Sequence, residues 1–452
     1  MDKYLYALEQ MLSPVGPDAF FTDYWEQGPL LVSRSDPSYF EGLFSLDALD
    51  QILARADLWY PSIRVFLNGR QVPPREFTGK WSYGFHNFDQ IIDVNKIYDF
   101  YRAGATLNIQ ALERCWAPLM MLNKGLEQQT GFPVHTTAFL TPRSAENIPP
   151  HHDAVDFFTL QVGGKKRWRV WRNPQPLPLI SPVYPSKQNK GTVSNAEGVR
   201  DEDLVGEYLL TDGDTLYVPR GFIHEAVTSD SYSLHVTVGI NVHRWFDVLS
   251  DAARFALARL GEDEEYRKAL PTPAAFSSPG AAETANRIFT KMLDEFRRHF
   301  QLSHGYRLVD KALLNGRHPS RMGQLEDIER LPELTVSSTV RRRDGIPYSL
   351  TREDDSVVLR FHSKDIAFSG WAEEALQFIT LSPSFTVRRI PGLSDASKLT
   401  LVSRLISEGF LTWGEPVPEA VAEETELRAT PAVKQVGQPR LSSTLEPLKG
   451  GL

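Results

Sequence analysis

The middle of the chain alternates between apolar and polar positions. Over 155–160, Val155, Phe157 and Thr159 fall on one side of an extended strand, and Asp156, Phe158 and Leu160 on the other. The segments VHTTAFLTP (134–142), DFFTLQVGG (156–164), KKRWRVW (165–171), GDTLYVPRG (213–221), HEAVT (224–228) and SLHVTVGI (233–240) predict strands in succession. Short strands punctuated by glycine and proline argue for a barrel or a double-sheet sandwich. Gly163-Gly164 predicts a tight hairpin turn between two of them. The Pro-, Ser-, Asn- and Lys-rich stretch 175–206 predicts a long loop.

Upstream the pattern is mixed. Asp23 is expected to cap a short helix that leads into YWEQGPLLVSR, where Leu30, Leu31 and Val32 start a strand. Residues 45–56 carry Leu46, Leu49, Ile52 and Leu53 at helical spacing behind a Ser45 cap. Residues 62–66 predict a strand and Asn68-Gly69 a turn. The spacing over 86–101 predicts a helix with Phe88, Ile91, Ile92 and Ile97 inward; 105–109 reads as a strand and 112–129 as a helix.

Near residue 244 the period changes from two to about three and a half. Residues 245–260 and 283–300 predict helices, the second with Ile288, Phe289, Met292 and Phe296 on one side and a Pro/Ser/Gly break before it. A third pattern follows over 335–415. Strands are predicted at 357–361 and 365–368, and a helix at 371–380. A last helix is capped by Ser394, carries a stripe of Leu399, Val402, Leu405 and Ile406, and stops at Gly409. Residues 416–452 lack such a pattern and are expected to form a disordered tail.

Composition narrows the chemistry. At 452 residues the chain is long enough for about three domains. Its net charge of −8 gives no broad basic footprint for nucleic acid. The single cysteine, Cys115, excludes an internal disulfide framework and a CxxC zinc site, so a metal would have to use His and carboxylate. The N-terminus does not read as a secretory signal, and no apolar run approaches the length of a membrane span, so the protein is expected in the cytoplasm.

Such ligands stand together in PPHHDAVDFF (149–158). Side chains two apart share a face of an extended chain, so His151 and Asp153 can converge while His152 points away. A third ligand should come from a neighbouring strand. His224 opens the strand after the Pro219-Arg220-Gly221 turn and is the favoured candidate; His235, inside a strand, competes for the place. Two His and one carboxylate on rigid strands fill one face of an octahedron and leave the other face open, as in non-heme Fe(II) oxygen chemistry. The residue types alone do not separate iron from zinc. Lys165, Arg167 and Arg169 read as solvated strand positions.

Four stretches carry a resemblance to a known family: PPHHDAVDFFTLQVGGKKRWRVW, GDTLYVPRGFIHEAV, YWEQGPLLVSR and RAGATLNI. The chain resembles the JmjC-type ribosomal oxygenases, Fe(II)- and 2-oxoglutarate-dependent protein hydroxylases of the cupin superfamily. The resemblance implies an α+β fold: a double-stranded β-helix (jelly-roll, cupin, JmjC) barrel, a helical dimerisation segment and a winged-helix domain. On that plan residues 1–243 form the catalytic domain, with a strand core at about 105–243; 244–334 form the dimerisation segment and 335–415 the winged-helix-like domain. It implies iron held by His151, Asp153 and His224, and a cosubstrate carboxylate paired with Lys166. Thr237 matches a cosubstrate-binding position. Thr137 stands where some relatives carry Asn, Thr141 is a further candidate, and His152 replaces a common tyrosine. The implied reaction consumes O₂ and 2-oxoglutarate, releases succinate and CO₂, and hydroxylates a protein side chain, with a ribosomal protein as the expected substrate. A homodimer is implied as well. Nucleic acid enters as a partner only through fold analogy with the winged helix. A tailoring hydroxylase of peptide natural products, and a metal-binding cupin acting as a scaffold or regulator, are the alternatives.

Overall fold

The computed structural model describes residues 7–55, 58–143, 145, 149–174, 176–179, 199–228, 230–270, 280–305, 314, 322–353, 355–361 and 363–415. The expected tail, 416–452, lies outside them, as does most of the expected loop after residue 175. The chain divides into two units, 1–242 and 243–452.

The first unit begins with helices α1 (Ala7–Leu12) and α2 (Pro17–Asp23), strand β1 (Leu30–Val32) and helix α3 (Leu46–Arg55). The Ser45 hydroxyl accepts from the Ala48 amide at 3.1 Å, so the expected cap of α3 is present. Asp23, in contrast, ends α2. That helix starts at Pro17 behind Gly16, because proline has the right φ for a first turn and no amide proton to leave unpaired. Strands β2 (Ile63–Leu67) and β3 (Arg70–Gln71) enclose the Asn68-Gly69 turn, both of whose residues have positive φ.

The helix expected over 86–101 is half strand. Residues 86–92 form β5 (His86–Ile92), paired antiparallel with β4 (Thr78–Tyr83), and α4 spans Val94–Arg102. The Asp93 carboxylate accepts from the amides of Asn95 and Lys96, which fixes where the helix begins. Strand β6 (Thr106–Gln110) follows. The helix expected from 112 breaks into a 3₁₀ turn and α5 (Ala117–Thr130), with Trp116 extended just before Pro118 at the helix start.

The barrel is built from β7 (Val134–Thr141), β8 (Asp156–Gly164), β9 (Lys166–Trp171), β10 (Leu204–Leu210), β11 (Thr215–Val218), β12 (Ile223–Val227) and β13 (Ser233–Ile240). Of these, β10 falls at the end of the stretch expected to be a loop. The larger sheet has the order β1-β11-β8-β13-β7-β6-β2-β3; the smaller has the order β10-β9-β12. Gly163-Gly164 is therefore not a hairpin turn. β8 and β9 belong to different sheets, and the chain turns a corner between them. Gly164 adopts a φ of +73°, and a Cβ there would lie 1.9 Å from the Tyr232 carbonyl oxygen, so only glycine fits the corner.

Alternation sorts the large sheet into two faces. Leu234, Val236, Val238 and Ile240 of β13 join Phe158 and Leu160 of β8 and Ala138 and Leu140 of β7 in the main core, with Leu8, Leu12, Phe20 and Leu122 of the helices. The opposite face carries Ser233, His235, Thr237, Thr137, Phe139, Thr141, Thr159 and Gln161, in line with the period-two geometry of strands.

The second unit opens with helices Trp245–Leu260, Glu264–Arg267 and Ala281–His299. Beyond them a small mixed region surrounds one core of Val357, Leu359, Phe361, Leu376, Ile379, Val402, Leu405, Ile406 and Phe410. It holds a sheet ordered Ser384–Thr386, Thr339–Arg342, Leu411–Trp413, and a meander of Ser349–Glu353, Ser356–Phe361 and Lys364–Ser369. Helices Glu373–Leu381 and Asp395–Ser407 pack on that core, and the second begins with the expected Ser394 cap, 3.3 Å from the Ser397 amide. Among the described residues no helix is long and apolar enough to cross a membrane.

Candidate metal and cosubstrate site

His151 and His224 meet across a single β-bridge. The His151 amide donates to the His224 carbonyl at 3.1 Å, and the His224 amide donates back at 2.8 Å. Their rings stand 4.5 Å apart. Asp153 reaches the same point: its Oδ2 lies 3.8 Å from His224 Nε2, and the ligand atoms of all three lie within 4.8 Å of one another. His152 lies beside the cluster and outside it, and His235 is elsewhere in the barrel.

Both imidazoles are preset for a cation. His151 Nδ1 lies 2.9 Å from the Pro149 carbonyl oxygen, and His224 Nδ1 3.1 Å from that of Phe222. A carbonyl can only accept, so each Nδ1 carries the proton and each Nε2 offers a lone pair. Burial, together with His151, holds the His224 pKa down to about 4 against the pull of Asp153, so this ring is neutral near pH 7.

The loops that bear the ligands are tied together below the site. The Gly221 amide donates to the Asp153 carbonyl at 2.8 Å. Arg220 Nη1 reaches Asp156 Oδ2 at 3.2 Å and also pairs with Glu26. Tyr217 donates its hydroxyl to Asp156 Oδ1 at 2.8 Å and accepts from the Glu26 amide at 3.0 Å. The Arg220 turn and the start of β8 are thus clamped through one buried carboxylate.

Lys166 opens β9 and points into the barrel with 6% of its surface exposed. Its ammonium donates to Thr141 Oγ1 at 3.1 Å. Burial lowers its pKa to about 7. A buried ammonium held by one hydroxyl is costly unless an anion joins it. The surrounding wall has the matching deficit: Asn108 Oδ1, Thr159 Oγ1, Trp168 Nε1 and His235 Nδ1 are buried without a hydrogen-bond partner among the described residues. His235 stacks on Phe139 at 5.0 Å, and burial, then Lys166, push its pKa well down. Thr237 lies opposite Thr137 on one side and Thr159 on the other, so three hydroxyl-bearing residues form a row across β7, β13 and β8. Trp168 spans the interior, 5.9 Å from His224 and 5.5 Å from His235.

The donor set fits a divalent cation beside a small dicarboxylate. Three ligands on one side would leave coordination positions open, and Lys166 would offer a charge to a distal carboxylate. Of this wall, Asn108, Thr159 and Trp168 are not singled out by the residue pattern alone, and His235 is singled out only as a competing metal ligand. Only the strand register shows that these side chains share the inward face with Lys166.

Residues 117–248 match the family model of the JmjC domain. The double-stranded β-helix is the JmjC/cupin fold, as the resemblance implied. The JmjC domain has relatives among the ribosomal oxygenases. The chain is 32% identical to ribosomal oxygenase 1 of Gallus gallus over 267 residues, covering 58% of this chain and 41% of the relative. It is 32% identical to ribosomal oxygenase 2 of Rattus norvegicus over 295 residues, covering 62% and 57%. Against ribosomal oxygenase 1 of Danio rerio the identity is 28% over 454 residues, covering 90% and 79%. The chain spans about half the length of the first two relatives. Among solved structures, the Escherichia coli ribosomal oxygenase YcfD aligns at 17% identity with a TM-score of 0.48, covering 88% of this chain and 98% of that one. The resemblance to ribosomal oxygenases read from the sequence is borne out by the relatives from Gallus gallus, Rattus norvegicus and Danio rerio.

Proposed function

We propose that this protein is an Fe(II)- and 2-oxoglutarate-dependent oxygenase that hydroxylates an amino-acid side chain of a protein, a ribosomal protein in the first instance. One observation carries the reading: a two-His, one-Asp cluster and a buried lysine without a counter-anion among the described residues occupy the same polar-lined barrel. A metal-binding scaffold has no need of the second element.

In this reading His151, Asp153 and His224 hold the iron, and Lys166, Thr237 and Thr137 hold the cosubstrate. Bound iron and 2-oxoglutarate supply the oxidising power: O₂ is consumed, one oxygen atom enters the substrate C–H bond, the other enters succinate, and CO₂ leaves. The protein contributes geometry. The Nδ1–H bonds to Pro149 and Phe222 aim both imidazoles. Lys166 and the threonine row fix one end of the dicarboxylate so that its other end meets the metal. Phe157, Trp168 and Phe139 exclude water from the interior.

The finer architecture belongs to the same proposal. Residues 244–334 act as a dimerisation segment, supported by the exposed apolar side chains Trp245, Leu249, Leu257 and Phe289 on its helices. Residues 335–415 act as a winged-helix-like domain, 1–243 as the catalytic domain, and the protein works in the cytoplasm.

The test is direct. Purified protein with Fe(II) and 2-oxoglutarate should release succinate, and Asp153→Ala should not. Ribosomal proteins from cells lacking the gene should gain one oxygen atom on incubation with the wild type. A wild type that releases no succinate would end the proposal.

A further inference from the structure

At the metal end of the barrel, β7 carries His135 on the same inward face as Thr137 and Thr141. In register His135 lies opposite Gly239, and Gly239 lies opposite Phe157, whose ring is 5.0 Å from that of His224. The middle of this row has no side chain, and the imidazole fills the space. A Cβ on Gly239 would lie 2.3 Å from His135 Cε1 and 2.5 Å from Nε2. The ring is therefore laid across Gly239 of β13, in the row that ends at Phe157, and feels the Asp153 carboxylate.

Its protonation pattern follows from its neighbour. Asn241 Nδ2 lies 3.0 Å from His135 Nδ1 and 3.3 Å from the Pro133 carbonyl oxygen. Only the amide nitrogen can donate to that carbonyl, which fixes the orientation of the amide. The same nitrogen then donates to Nδ1, so Nδ1 accepts and the ring proton sits on Nε2. This is the opposite tautomer to that of His151 and His224. Nε2–H has no partner among the described residues. Burial keeps the ring neutral, against the pull of Glu113 and Asp153. The two imidazoles of the cluster offer lone pairs to a cation; the third offers a proton beside it.

We propose that His135 is a substrate-binding residue, whose Nε2–H donates to an acceptor atom on the side chain presented to the metal. The inference rests on the hydroxylase reading and adds the chemical class of the substrate residue. A neutral N–H donor selects a side chain that carries an acceptor, an imidazole nitrogen or a carboxamide oxygen. Lysine and arginine have no acceptor and gain nothing from it.

The experiment uses the full chain with Fe(II), 2-oxoglutarate and total ribosomal protein from cells lacking the gene. Mass spectrometry identifies the protein and residue modified by the wild type, and that protein is then titrated against variants whose folding is checked by circular dichroism. His135→Ala should raise its KM about tenfold, the loss of one hydrogen bond, while the KM for 2-oxoglutarate stays in place. His135→Gln, which puts an N–H in the same region, should recover most of that loss. Gly239→Ala, which keeps the imidazole but displaces it, should reproduce the defect. A wild-type KM in His135→Ala overturns the inference, as does oxygen found on a lysine or arginine side chain. An Nδ1–H tautomer for His135 in long-range proton–nitrogen NMR spectra overturns it without any substrate. A wild type that makes neither succinate nor product defeats the hydroxylase reading, and this inference falls with it.

Discussion

The two faces of the large sheet are made by the same strands and obey different rules. On the outer face β13 presents Leu234, Val236, Val238 and Ile240 to helices and closes an ordinary core. On the inner face the same strand presents Ser233, His235, Thr237 and Gly239, next to a buried lysine and buried polar atoms without partners. Cores in general satisfy their polar groups. A face that leaves several hydrogen-bonding atoms unanswered beside a buried cation is stabilised by something other than itself, and sites that break the packing rules are where function is expected. The outer face should therefore govern stability, and the inner face should govern ligands.

Exchanging the consequences of the two faces would break that comparison. The largest effect is expected from Asp153→Ala on the ligand side: succinate release falls to background and calorimetric titration with Mn(II) loses its binding heat, while the melting temperature moves little. Next comes the outer face. Leu160→Ala, at a position with no exposed surface, should cost about 2–5 kcal/mol in denaturant unfolding and leave turnover per folded molecule intact. An unchanged stability there would contradict the assignment of faces.

Lys166→Met should raise the KM for 2-oxoglutarate roughly 10- to 100-fold, the loss of a charge-assisted hydrogen bond. The same variant should melt no lower than the wild type, because it removes a desolvated charge paired with no carboxylate among the described residues. Lys166 also sets a pH dependence. Its pKa without ligand is about 7, and a carboxylate binds the protonated form. Affinity for 2-oxoglutarate should thus be constant below pH 7 and weaken about tenfold per pH unit above it, with proton uptake on binding measurable by calorimetry in buffers of different ionisation heat. The smallest effect is expected from Thr237→Val, which keeps shape and deletes a hydroxyl: a few-fold rise in the same KM, about 0.5–1.5 kcal/mol.

Much of this was legible beforehand, and the failures have physical causes. The helices capped by Ser45 and Ser394 were readable because a hydroxyl before an apolar stripe is local information. The spacing of Phe88, Ile91 and Ile92 fitted a helix, but pairing with residues 78–83 took that segment into a hairpin. Gly163-Gly164 announced a turn without saying which strands it joins, so a corner between sheets read as a hairpin. The expected loop at 175–206 runs into the strand Leu204–Leu210, because the polar stretch before it masks the strand's start. In the site, His151 and Asp153 are visible from alternation, and Lys166 only through the family resemblance. Thr141, a lesser candidate, is the side chain that holds Lys166. His135 was overlooked, although alternation along VHTTAFLTP already puts it on the face of Thr137.

The sequence by itself determined most of the barrel strands, their two-sided character and the candidate ligand types, because each depends on spacings of a few residues. Only the tertiary structure decided which distant strands lie side by side. It brought His224 to His151 across one bridge and excluded His235 from the cluster. It turned Lys166 into the interior beside Thr141 and laid His135 across Gly239. These are matters of register between segments far apart in the chain, and register is set by how whole sheets pack rather than by any one stretch.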